Sequence, residues 1–242
     1  MLILICVFFV ETFLSKELED RIQFPQDFLV FTSPALRSDG VITGRAAGGI
    51  MLLIRSSLFD CPKCEVIFEK PSILATKLVL KGGYSFCFVG VYRSNNTGSP
   101  VFSENFFEEV EDACNTATIL NLPTMVAGDF NAKIGDACGL YRNIEEFRDL
   151  IPESSEGEEV NEAGAEMLST FAALDYHRLP FAEQGVEKFT FVVFPTALDP
   201  RCGGSVIDYV FFSFELLDLV SSPEQRLEPE SRHILLGWLL KV

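Results

Sequence analysis

The residues of this chain best suited to chemistry stand in Thr124-Met125-Val126-Ala127-Gly128-Asp129-Phe130-Asn131, where an uncharged run delivers an aspartate and an asparagine to its C-terminal end. A run of this length and polarity reads as a strand covered on both faces, and Gly128 lets the chain turn where it stops. At such a rim Asp129 is placed to hold or polarise a water. Asn131, two residues on and so on the same side, is placed to donate to a phosphate oxygen. Gly-Asp-Phe-Asn would equally suit an ordinary exit from strand to turn, so the rest of the chain has to decide.

Other candidates also sit on or beside apolar runs. Glu11 closes one in Val10-Glu11-Thr12-Phe13-Leu14, and Tyr92 closes another in Gly90-Val91-Tyr92-Arg93. Asp208 lies within Ser205-Val206-Ile207-Asp208-Tyr209-Val210, and His233 opens a last run in Ser231-Arg232-His233. Singly, each has a plain structural role: Glu11 as a solvated strand end, Tyr92 as a strand-end aromatic, Asp208 as an edge charge, His233 as a surface imidazole.

Positioning such residues requires a frame rich in strands. The chain has 242 residues, 48% of them hydrophobic, with 23 Phe against a single Trp. No break resembles a linker, so one domain over 1–242 is expected. The phenylalanines fall beside Val and Ile in short runs, as sheets packed face to face require. Strands are expected at 2–10, fully buried and ending at Glu11, and at 27–33, 49–55, 65–69, 74–81, 85–92, 189–194, 206–213 and 234–240. The run at 85–92 is apolar on both faces, which marks a central strand. Residues 12–20 read as a short amphipathic segment, and the glycines of 39–49 break regular structure. Between 102 and 120 the residues Phe106, Phe107, Val110, Ala113, Cys114, Ala117 and Leu120 recur at helical spacing, with Glu108, Glu109, Glu111 and Asp112 on the wet side. A second helix is expected at 162–174.

The formal net charge is −16, which repels a polyanion and weighs against nucleic acid as a partner. Half of that excess is local: residues 145–166 hold nine acids against Arg148, a net −8, in what reads as a solvated loop and helix face. Seven scattered cysteines do not make a disulfide framework and suit a reducing, intracellular compartment, cytoplasm or nucleus. Cys61-Pro62-Lys63-Cys64 has the spacing of half a zinc knuckle but lacks a second pair. The apolar stretch from Leu2 to Val10 is too short to span a bilayer, so no stable membrane insertion is expected; it has neither a basic flank nor a good cleavage site, and secretion is the minority reading.

Taken in order, the strand-end residues resemble the endonuclease/exonuclease/phosphatase superfamily, and within it the apurinic-like endonuclease domains of LINE-type (non-LTR) retrotransposons. The resemblance rests on Glu-Thr-Phe-Leu from Glu11, Gly-Gly-Ile at 48–50, Val-Tyr-Arg at 91–93, Gly-Asp-Phe-Asn-Ala at 128–132, Phe-Thr-Phe around Thr190 and Ser-Val-Ile-Asp-Tyr-Val at 205–210. Its retrotransposon side rests on Asn161-Glu162-Ala163-Gly164 leading into a helix, and on the spacing from Thr190 to the last of these motifs. The resemblance implies an α/β (α+β) fold, a four-layer αββα sandwich of two mostly antiparallel sheets flanked by helices, and magnesium-dependent hydrolysis of phosphodiesters, with DNA as substrate.

Under that resemblance Glu11 binds Mg²⁺ or Mn²⁺ and Asp129 activates the attacking water. Asn131, Tyr92 and Thr190 hold the phosphate, and His233, supported by Asp208, stabilises the charge that grows on it. Two departures are visible. Members of the family begin with a further strand carrying an Asn, whereas this chain starts one strand later, so an N-terminally truncated domain with an exposed sheet edge is expected. Their last motif is Ser-Asp-His, whereas here Arg232 brings a fixed positive charge to the place of the carboxylate. The alternatives are a catalytically impaired remnant acting only as a binding module, and a phosphatase for small phosphoesters. Oligomeric state is not readable from the sequence.

Overall fold

The computed structural model describes residues 6–38, 46–134, 160–178, 191–193, 203–205, 208–217, 224–227 and 234–237. The chain divides into two compact units, Met1–Phe130 and Asn131–Val242.

In the first unit the apolar runs become two stacked sheets. β1 (Cys6–Val10) is followed by a single turn of helix, α1 (Lys16–Glu19), then by β2 (Phe28–Ser33) and β3 (Ile50–Arg55). β3 lies in the middle of this antiparallel sheet, with β1 and β2 on either side. The second sheet sets β4 (Glu65–Lys70), β5 (Ile73–Val79) and β6 (Ser85–Tyr92) antiparallel in order. β7 (Thr124–Asp129) then runs parallel to β6, and the crossover that a parallel pair requires is α2 (Phe106–Ile119).

The two sheets of this unit meet through β1 and β3 on β6, and β2 on β5. Gly90 shows why they approach so closely. A Cβ there would overlap the ring of Phe8, which instead fills the space and meets Phe88 edge-on at 5.0 Å between centroids. The outer face of the second sheet is covered by α2, which buries Phe106, Phe107, Val110, Ala113, Cys114 and Ala117 and leaves Glu108, Glu111 and Asp112 in water. A 14-residue helix is marginal by itself. Each large side chain it buries contributes about 1.5–3 kcal/mol, so the sheet holds the helix rather than the reverse.

Several expectations change. β1 is described only from Cys6 and is not fully buried: it is a sheet edge, with Phe9 43% exposed and Val7, Phe8 and Val10 half-buried. α2 begins at Phe106 and not at 102, because the Ser103 hydroxyl accepts from the Asn105 amide and makes a local turn. Its apolar stripe stops at Ala117. Leu120 lies beyond the last helical turn and is half exposed, beside a far more exposed Ile119.

In the second unit, α3 (Glu162–Ala173) leads into β8 (Tyr176–Arg178), and β9 (Phe191–Val193) pairs with β10 (Gly203–Ser205). β11 (Asp208–Ser213) is antiparallel to β8 and runs into the short α4 (Phe214–Leu217). β12 (Glu224–Leu227) pairs with β13 (Ile234–Gly237). Phe171 of α3 stacks on Phe211 of β11 at 3.7 Å, and Tyr209, Phe211 and Phe212 are fully buried. Among the described residues no helix is long and apolar enough to cross a membrane, and Cys61, Cys64, Cys87 and Cys114 form no disulfide.

Candidate active site

Three of the expected chemical groups come together in the first unit. β6 and β7 run in the same direction, and their last residues, Tyr92 and Asp129, are partners in register. Two neighbouring parallel strands therefore deliver a phenol and a carboxylate to one rim. Asp129 is 2% exposed and its main-chain carbonyl accepts from the Arg93 amide at 2.8 Å. The Tyr92 hydroxyl donates to Oε1 of Glu11 at 2.6 Å, a contact between residues 81 positions apart. Burial first, then this hydrogen bond and the nearby charges of Glu11 and Asp129, push the Tyr92 pKa above its ordinary value. The phenol thus stays a donor.

Glu11 reaches Tyr92 through an unusual backbone. It follows β1 with φ 52°, and Phe13 has φ 55°, both in the left-handed region that costs a non-glycine residue about 1–3 kcal/mol. The amides of Thr12 and Phe13 offset part of this by donating to the carbonyls of Gly49 and Gly48 at 3.2 and 2.9 Å. Strain at the residue that carries the carboxylate is a pattern of functional sites.

The Gly-Asp-Phe-Asn run is fixed residue by residue. At Gly128 a Cβ would collide with the carbonyl oxygen of Val91 on the adjacent strand, so only glycine lets β7 lie this close to β6. Phe130 is fully buried against α2, stacked on Phe107 at 6.5 Å and edge-on to Phe106 at 6.4 Å. Asn131 opens the second unit with φ 45°, again left-handed. Just after it, the carbonyl of Ala132 accepts from the buried Tyr209 hydroxyl at 3.1 Å. Asp208 opens β11 and is 7% exposed. Thr190, Arg232 and His233 lie outside the described residues, so neither the Asp208 and His233 partnership nor the Thr190 contact is placed.

Among the described residues no group of three or more His, Cys, Asp or Glu is arranged to hold a metal ion. The donors that do meet are carboxylate and phenol oxygens, with Glu11 only half-buried. That chemistry fits a hard cation such as Mg²⁺ or Mn²⁺, which commonly takes one or two carboxylates and keeps several waters. Sequence reasoning missed the contributions of Asn161, Gly164 and Tyr209, which hold the chain just after Asn131. The only trace of the first two was the Asn161-Glu162-Ala163-Gly164 motif.

No family profile matches the sequence, and no curated protein does. Among solved structures the chain is similar to the endonuclease domain of TRAS1, a telomere-specific non-LTR retrotransposon, at 15% identity and TM-score 0.59, covering 90% of this chain and 81% of that one. It is similar to the 3'-5' exonuclease NExo from Neisseria meningitidis at 14% identity and TM-score 0.62, covering 98% and 89%. It is also similar to the AP endonuclease LMAP from Leishmania major at 15% identity and TM-score 0.64, covering 97% and 78%. Identities this low speak for architecture alone, and two mostly antiparallel sheets flanked by helices, matched over nearly the whole length, give this chain the fold of the endonuclease/exonuclease/phosphatase superfamily.

Proposed function

We propose that this chain is a metal-dependent phosphodiester hydrolase, a DNA endonuclease domain of retrotransposon descent. The observation that supports it most is the Tyr92 to Glu11 hydrogen bond beside buried Asp129, in a fold shared with proteins named as nucleases. In this reading Asp129 orients the attacking water and takes its proton. Tyr92, kept protonated by its surroundings, would turn its single O–H from Glu11 to the scissile phosphate once Glu11 holds the cation, beside contacts from Asn131 and Thr190. His233, held charged by Asp208, donates to the phosphoryl oxygens as they gain charge. Glu11 would hold Mg²⁺ or Mn²⁺, whose chemistry there is electrostatic stabilisation of the phosphoryl group.

Nicking of supercoiled plasmid tests the reading. The chain should nick in Mg²⁺ and stop in EDTA, and Asp129→Ala should lower the rate by about 10²–10⁴-fold, the range for losing a positioned acid or base. Equal nicking by Asp129→Ala and the parent chain would overturn it. The second reading, an impaired remnant acting as a binding module, is favoured by Arg232 standing where the family has an acid. Under it the parent chain is inert and Arg232→Asp gains activity. Turnover of soluble phosphoesters with an intact plasmid would instead point to the phosphatase that the −16 charge suits.

A further inference from the structure

Asn161 precedes α3 and caps it in the usual way, its Oδ1 accepting from the Gly164 amide at 2.8 Å. A cap needs nothing more, yet the same oxygen also accepts from the amide of Lys133 at 2.9 Å. The amide of Asn161 in turn donates to the Lys133 carbonyl at 3.0 Å. One asparagine therefore satisfies both main-chain groups of a residue 28 positions away. Gly164 makes the approach possible: a Cβ there would overlap the Lys133 carbonyl oxygen. Glycine inside a helix costs about 1 kcal/mol relative to alanine, so its presence in the first turn of α3 needs such a reason.

The segment gripped in this way is the one that leaves Gly-Asp-Phe-Asn. The Ala132 carbonyl is held by Tyr209, both groups of Lys133 are held by Asn161, and Ala132 and Ile134 are buried. Asn131, immediately before them, sits in a left-handed conformation that a free loop would leave. We propose that Asn161 is a positioning residue for Asn131, its clamp on Lys133 holding the Asn131 backbone in the conformation from which that side chain meets the phosphate. The catalytic half of this statement rests on the function proposed above; the clamp itself does not.

The test uses the full chain with Asn161→Ala, Asn161→Asp, which keeps the accepting oxygen, and Tyr209→Phe, which removes one hydroxyl. Amide hydrogen exchange is followed at Lys133 and in β6 and α2, and plasmid nicking in Mg²⁺ gives kcat and KM. Asn161→Ala should speed exchange at Lys133 by about tenfold or more while β6 and α2 keep their protection. It should also lower kcat by about 10–100-fold, the cost of a misplaced group. Asn161→Asp should restore both, and Tyr209→Phe should move both in the direction of Asn161→Ala. Unchanged exchange at Lys133, or exchange that accelerates throughout the chain, would overturn the proposal. So would selective loss of protection with kcat untouched. If the parent chain does not nick DNA, the functional reading fails, and the exchange data alone decide for or against the clamp.

Discussion

A phenol set against two carboxylates is held in its protonated form, and Tyr92 is such a phenol. Its pKa is raised in the folded chain, so as pH climbs past about 10 the unfolded chain ionises first and folding loses stability. The contribution is full below the ordinary tyrosine pKa and decays above it. Tyr92→Phe should therefore cost about 1.5–3 kcal/mol in urea unfolding at pH 7, the range for a hydrogen bond to a charged group. The gap between the two chains should narrow between pH 9.5 and 11. A gap that stayed constant over that range would mean that Tyr92 is not held by Glu11. The types of Tyr92 and Asp129 were legible in the sequence because both close apolar runs. The bend that brings Glu11 to Tyr92 was not, since a left-handed glutamate leaves no mark in composition or spacing.

At the scale of elements, long uniform runs such as β6 and β7 showed themselves, because a strand covered on both faces has no polar position to confuse its reading. Short pieces did not: β8, β10, β12 and α4 span three or four residues each and carry too few positions for any period. The Asn161 clamp was equally silent, because its partner is 28 positions away and a helix cap explains the same asparagine locally. β5 carries a cost that strand patterning does not show. The hydroxyl of Thr76 is fully buried and has no hydrogen-bond partner among the described residues. Thr76→Val keeps the shape and removes the buried polar atom, so it should raise stability by about 1 kcal/mol, read as a higher urea midpoint with an unchanged slope. A lower midpoint would show that the hydroxyl is satisfied after all.

At the scale of the whole molecule, the charge of −16 opposes the DNA substrate proposed for it, and half of that excess lies in residues 145–166. Changing Glu153, Glu156, Glu158 and Glu159 to Gln should speed nicking at low DNA concentration several-fold in about 0.05 M salt, and hardly at all near 1 M, where screening acts within about 3 Å. No salt-dependent gain would mean that this acidic stretch lies far from the path of the DNA. The sheet-rich frame was legible from Phe-rich runs. The boundary between the two units falls between Phe130 and Asn131, inside the Gly-Asp-Phe-Asn motif. A cut at that peptide bond would put Asp129 on one fragment and Asn131 on the other, so under the proposed function neither fragment alone should nick plasmid.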